Sequence, residues 1–396
     1  MKTVHSTVAV LIFGIFGAAA AAGEISTRIA LEARRFFSSP QLSEQEANSW
    51  SIAAELEYYH ERKNGSAFTL VPFARVDSAD SRRSHFDVRE LNYLWPGSSW
   101  ELRAGISKVF WGTTEFVHLV DIVNQTDLVE SLDTEEKLGQ PMVHLSVPRN
   151  WGVLDLFVLP YFRERTFPGP GGRLRLRPEV DTERALYEHS DGEHHVDFAL
   201  RYSHTLGNWD FGLSHFTGTG REPTLLPDAN EQGESVLVPF YEQIDQTGLD
   251  LQGVTGQWLW KLEAVRRSSQ GSEFLAGVGG VEFTLVGLAG QGLDLGILGE
   301  WAYDERGREA TTAYQNDAMI GVRLSFDDAA SSQIVAGWIW DVYDSSRILR
   351  IEASRRLRHR WKASLEAWVF AGAPESDFNS SYRDDDFVQL ELAYFF

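Results

Sequence analysis

Asp386-Phe387-Val388-Gln389-Leu390-Glu391-Leu392-Ala393-Tyr394-Phe395-Phe396 ends the chain. Successive side chains of a strand point to opposite faces, so Val388, Leu390, Leu392, Tyr394 and Phe396 share one apolar face while Gln389, Glu391 and Ala393 share the other. The apolar face suits lipid, and Tyr394 and Phe396 suit the interfacial aromatic girdle of a membrane-spanning barrel. The other face suits a wet or packed interior.

The opposite terminus fits the same compartment. Lys2 supplies a short positive region, Val8 to Phe16 is an apolar run too short to span a bilayer, and Ala20-Ala21-Ala22 offers a small-residue cleavage site. Residues 1–22 read as a removed signal peptide, leaving 23–396 as one domain. An uncleaved anchor is disfavoured because no stop-transfer charge cluster follows the run. Loss of Lys2 takes the formal charge from −21 to −22. With no Cys in the chain, a disulfide framework is excluded and stability must come from one large cooperative architecture.

No mature segment reaches the eighteen uninterrupted apolar residues of a helical span, although the chain holds 24 Phe, 13 Trp and 12 Tyr. What recurs instead is a segment of about ten residues with dyad alternation, bounded by turn residues. Residues 25–36, 49–60, 67–77, 85–95, 100–110, 141–149, 153–163, 195–205, 208–218, 247–255, 258–268, 274–286, 293–304, 316–326, 332–342, 347–357, 361–370 and 386–396 fit it. In 49–60, for instance, Trp50, Ile52, Ala54, Leu56 and Tyr58 oppose Glu55 and Glu57. Short turns such as Gly207-Asn208, Gly256-Gln257 and His359-Arg360 alternate with long polar connections at 164–193, 219–246, 305–315 and 371–385.

The expected fold is all-β, a transmembrane antiparallel β-barrel of about eighteen strands, with sixteen as the alternative because 237–255 is hard to parse. A soluble sandwich or propeller would have no reason to keep its outer face uncharged. An even strand count places both termini in the periplasm, and the partners are the lipid bilayer, lipopolysaccharide and small-molecule solutes, with a homo-oligomer open and no nucleic acid.

Sixteen to eighteen strands enclose an aqueous channel rather than a side-chain core, so the default function is passage of solute. The connection 111–140 is the third external loop and the candidate constriction. Phe116, Val117, Leu119, Val120, Ile122, Val123, Leu128, Val129 and Leu132 recur there at roughly helical spacing, too apolar for an exposed loop. Folded inward, the loop would present Glu115, Asp121, Asn124, Asp127, Glu130 and Asp133 to the lumen; an extracellular cap or a protein–protein surface is the other reading.

The stretch from Arg103 through Gly105 and Ser107 to Trp111-Gly112, followed by Val120-Asp121-Ile122-Val123-Asn124-Gln125-Thr126-Asp127-Leu128, resembles the strand and inward loop of Gram-negative outer-membrane porin-like barrels. It is similar in particular to poorly characterised alginate-export-type channels. The chain ending likewise resembles the terminal assembly signal of Gram-negative outer-membrane proteins. The resemblance implies a porin-like barrel with a loop in its pore; its local motif covers about forty residues and carries no substrate.

The strand phases put Arg75, Arg89, Arg103, Arg163, Arg201, Glu263, Glu300 and Arg350 among the inward charges. A basic stripe of Arg75, Arg89 and Arg103 facing an acidic loop would set up a transverse field that orients polar solutes; alternatively these charges pair and solvate a wet interior. Trp368, Tyr161, Phe157 and Phe370 fall inward, whereas Phe162, Trp301, Trp338 and Trp340 fall on the lipid phase. No nucleophile elbow, His-Glu-x-x-His helix or phosphate loop is present. The run Glu188-His189-Ser190-Asp191-Gly192-Glu193-His194-His195 reads as a solvated external loop, so neither metal nor cofactor is called. The expectation is a non-enzymatic outer-membrane channel for passive diffusion of small hydrophilic solutes, anionic ones included. The alternatives are a plugged structural or ligand-binding barrel and a hydrolase built on Ser214 or Ser203 near His204 or His215. Ser214 and His215 cannot meet by adjacency, because neighbours on a strand face opposite ways.

Overall fold

The computed structural model describes residues 23–269, 272–288, 292–374 and 378–396. The signal peptide expected at 1–22 and most of the turn at 289–292 lie outside them.

Eighteen strands form one closed antiparallel sheet: Glu24–Phe36, Asn48–Glu61, Ala67–Asp77, His85–Pro96, Glu101–Ser107, Gln140–Arg149, Gly152–Leu159, Asp197–Leu206, Trp209–Thr219, Gln243–Thr255, Trp258–Ser269, Ser272–Leu288, Leu293–Asp304, Asn316–Phe326, Gln333–Asp341, Arg347–Arg358, Trp361–Ala371 and Phe387–Phe395. The last strand pairs with the first through Ala30↔Ala393 and Glu32↔Glu391, which closes the barrel. Eighteen, not sixteen, is the count, and the segment that resisted parsing resolves into an external strand and a barrel strand that begins at Gln243.

The dyad pattern holds around the wall. Leu31, Trp50, Ile320 and Leu390 are 54%, 61%, 65% and 55% exposed, whereas Ala30, Ala53 and Ala393 beside them are buried. Exposed apolar side chains at every second position suit a hydrocarbon solvent outside, and charges on that face, such as the Arg266–Glu273 pair, stand at strand ends. Rings gather beside the short turns: Trp361 lies 4.7 Å from Tyr394, Trp258 4.7 Å from Phe283 and Trp151 5.8 Å from Tyr202, as an interfacial girdle requires. Gly207 and Gly256 hold φ of 64° and 65° in two-residue hairpins, where positive φ matches the strand twist and glycine carries no Cβ penalty.

Two strands stop earlier than their sequence pattern. Gly152–Leu159 ends where Pro160 removes the next ladder donor. Glu101–Ser107 ends because Val109 N donates to Asn124 Oδ1 at 2.9 Å and so leaves the ladder. Phe162, read from alternation as lipid-facing, is therefore past the strand and fully buried against Tyr241.

The connections 164–193 and 219–246 are not simply polar loops. Thr224–Ala229 pairs antiparallel with Ser235–Tyr241, which pairs in parallel with Glu179–Val180 and Leu186–Tyr187 to make a small second sheet. Phe167, Leu174, Leu176 and Val180 are buried in one cluster with Phe36, Trp368, Phe370, Tyr382 and Phe387 of the wall and its loops. The alternation Arg173-Leu174-Arg175-Leu176-Arg177 explains the geometry, since the leucines enter that cluster while Arg173 Nε reaches Asp385 at 2.6 Å and Arg175 reaches Glu44 at 3.0 Å.

Candidate functional site

The connection between Ser107 and Gln140 forms no helix, despite the helical spacing of its apolar residues; it is a succession of turns with one antiparallel bridge, Thr126↔Lys137. Its base is tied by Asn124, whose Nδ2 donates to Ser107 O at 2.9 Å and Leu138 O at 2.8 Å while its Oδ1 accepts from Val109 N. Chain without a ladder must find partners elsewhere for its buried N–H groups. Two arcs of the wall hold the segment, and the second supplies acceptors for those N–H groups.

The first arc comprises the third and fourth barrel strands with the turn between them. Arg75 forks onto Glu130 at 2.7 Å and onto Glu32 at 3.1 Å, and also donates to Ser51 Oγ at 2.6 Å. Arg83, in the turn between the two strands, is buried, bonded to Asp77 and Glu32 at 2.8 Å each and to Val129 O at 2.9 Å. Arg89 meets Asp127 at 3.0 Å and Lys137 O at 3.1 Å. Arg163 joins the same side through Asp87 and Gly139 O, both at 2.9 Å. Burial pushes the Glu130 carboxyl up, but the Arg75 guanidinium outweighs it and holds the group below the usual carboxylate range.

The second arc runs from the eleventh barrel strand to the sixteenth. Glu263 accepts from Thr113 N at 2.7 Å, Thr114 N at 3.1 Å, Thr114 Oγ1 at 2.6 Å and Val120 N at 3.2 Å. Glu300 accepts from Glu115 N at 2.8 Å and Phe116 N at 3.1 Å. Glu115 itself meets Lys261 at 3.2 Å and Arg323 at 2.5 Å; burial raises its pKa, and the two cations more than reverse that. Arg350 takes Asp133 at 2.5 Å and Glu135 at 3.5 Å.

Of the residues singled out from sequence, Arg75, Arg89, Arg163, Glu115, Asp121, Asn124 and Asp127 thus belong to one loop-and-wall network, Asp121 through Lys137 at 3.2 Å. Arg201 has no ion pair with the segment but touches it through a ring, paired with Asp250 at 2.7 Å and lying over Trp111 at 5.3 Å. Arg103, near a short turn, makes no ion pair among the described residues. Glu130 was read as a lumen-facing residue of the loop, whereas Glu32, Arg83 and Arg350 were not singled out as constriction residues; inward phase marked Arg350, but nothing in the local sequence marks Arg83.

Trp368, Phe157 and Phe370 are buried inside as their phase implies, and Trp301, Trp338 and Trp340 are outside at 49%, 44% and 47% exposure. The hydrolase residues do not converge: Ser214 Oγ donates to Gly248 O at 3.4 Å, and His215 Nδ1 lies 3.0 Å from Thr247 Oγ1 on the outer face. His195 bonds Asp197 at 2.9 Å, Glu193 accepts from Tyr161 at 2.7 Å, and no metal-sized grouping is found among the described residues.

No protein-family model matches the sequence, and no curated protein matches it. Solved structures share its architecture. It is similar to OccK11 (OpdR) of Pseudomonas aeruginosa at 12% identity and TM-score 0.54, covering 94% of this chain and 95% of that one. A BenF-like porin from Pseudomonas fluorescens gives 10% identity and TM-score 0.55, over 95% and 97%. Wzi of Escherichia coli, described as a carbohydrate-binding β-barrel involved in group 1 capsule assembly, gives 10% and 0.55, over 99% and 89%. At these identities the likeness is one of fold.

Proposed function

We propose that this chain is an outer-membrane channel for passive diffusion of small hydrophilic solutes, narrowed by residues 111–140. The observation that carries the reading is that this one segment is held by two arcs of the wall, the third and fourth strands and the eleventh to sixteenth. A segment fastened to both crosses the bore, and a bore of eighteen strands is otherwise too wide to filter.

Both termini face the periplasm, with the short turns and their aromatic girdle, and the long connections meet lipopolysaccharide; association into oligomers is left to measurement. Anionic solutes find support in a cavity of about 200 Å³, open toward solvent, that Arg165, Arg267 and Arg306 line beside Asp121, Glu222 and Asp304. Arg165 makes no ion pair among the described residues, and its neighbour Arg267 is matched by Glu222 at 3.2 Å.

A second reading has its own observation. The buried cluster of Leu174, Leu176, Trp368 and Phe370 fills part of the long-loop mouth, which favours a plugged, ligand-binding barrel. Planar-bilayer recording of the refolded protein separates the two: stepwise ohmic currents support the channel, and silence from demonstrably folded barrels supports the plug.

A further inference from the structure

Glu263 is fully buried in the wall, and Glu300 is 6% exposed. A buried carboxylate is costly unless its oxygens are filled, and a cation is the usual partner. Here the nearby cation Lys261 turns to Glu115, and His118 Nδ1 stays 3.7 Å from Glu263, beyond hydrogen-bond reach. The oxygens are filled by the peptide N–H groups of Thr113, Thr114 and Val120 on Glu263, with the Thr114 hydroxyl, and of Glu115 and Phe116 on Glu300. An ionised carboxylate is acceptor-only with about four lone-pair sites, so it suits a run of unladdered N–H groups.

A third fastener adjoins them. Gly321 and Gly337 are cross-strand partners, and the Phe116 ring occupies the space both leave: a Cβ at Gly337 would fall 2.5 Å from it and one at Gly321 3.1 Å.

We propose that Glu263 and Glu300, with the Gly321/Gly337 niche, are the positioning residues that hold 113–120 across the bore; this rests on the channel reading above. They set the bore width without touching solute. Releasing them lets the segment leave the far arc while the arginine arc keeps its other end, so the open current rises and becomes noisier.

Single-channel recording of E263Q/E300Q, with folding checked by heat-modifiable gel migration, is the test. Conductance is expected to rise about twofold with a broadened open-current variance, since passage follows pore diameter. Phe116→Ala, which leaves the wall untouched, moves both in the same direction. In a barrel lacking 113–120 the two Glu→Gln changes have no further effect, a cycle that separates positioning from a general wall defect. Unchanged current in folded E263Q/E300Q and F116A, or an equal effect in the shortened barrel, overturns the proposal while the wild-type channel stands. A silent, folded wild type overturns the channel reading and the proposal with it.

Discussion

The two arcs that grip the central segment do so in opposite ways. On one, wall arginines take side-chain carboxylates: Arg75 holds Glu130 and Arg89 holds Asp127. On the other, wall carboxylates take peptide groups: Glu263 and Glu300 hold the backbone between Thr113 and Val120. The first grip depends on which side chains the segment carries, the second chiefly on where its backbone runs. Neutralising Glu130 and Asp127 should therefore release one end and leave the peptide contacts of Glu263 and Glu300 in place.

Removing both grips has the largest effect. Deletion of 116–138 is expected to raise single-channel conductance several-fold, because the wall alone encloses an aqueous bore; unchanged conductance would remove the segment from the mechanism. Breaking the arginine arc comes next. Arg75→Ala takes the forked guanidinium from Glu130 and leaves Glu32 to Arg83, and loss of one partner of a buried pair costs about 3–5 kcal/mol, readable as a lowered denaturant midpoint. Trimming the carboxylate arc at a side chain costs least. Thr114→Val removes one hydroxyl donor to Glu263 but keeps the three peptide donors, so about 1 kcal/mol is expected.

Acid sharpens the contrast. Because the folded Glu130 carboxyl lies below its ordinary value, its contribution is fully present above the unfolded pKa of about 4.3. It is lost only as pH falls through the lower folded value. Unfolding midpoints followed downward in pH should hold through the mildly acid range and then fall, and Glu130→Gln should blunt that fall. An equal fall in the variant would take the effect away from this pair.

The barrel was legible because its signal is strictly local. Alternation set the phase of each strand, so Glu263, Glu300, Arg75 and Arg350 were all placed inward from their neighbours alone. The segment 111–140 was legible as apolar, but not in shape. Phe116, Val117 and Leu119 are spaced like a helix, yet they pack against wall strands more than a hundred residues distant, and tertiary contact outweighed periodicity. The carboxylate grip was not legible at all, since its donors are peptide groups that leave no trace in residue type. Arg83 was missed for a different reason: a turn rich in Ser, Asp and Arg reads as solvated, and only the registered pairing of the first three strands brings Glu32 to it. The mouth was misjudged likewise, because Leu174 and Leu176 alternate with arginines that find Asp385 and Glu44 across long stretches of chain.

Gly321 and Gly337 have a bearing on how such a pore could be re-tooled. A bare patch on a sheet that accepts one aromatic ring acts as a socket, and a socket is indifferent to what is mounted on the rest of the insert. With the backbone clasped by Glu263 and Glu300 and the ring seated, the side chain of Glu115 is the exchangeable tip. A panel of replacements at that position would give a set of pores that differ in what they sense and share one frame.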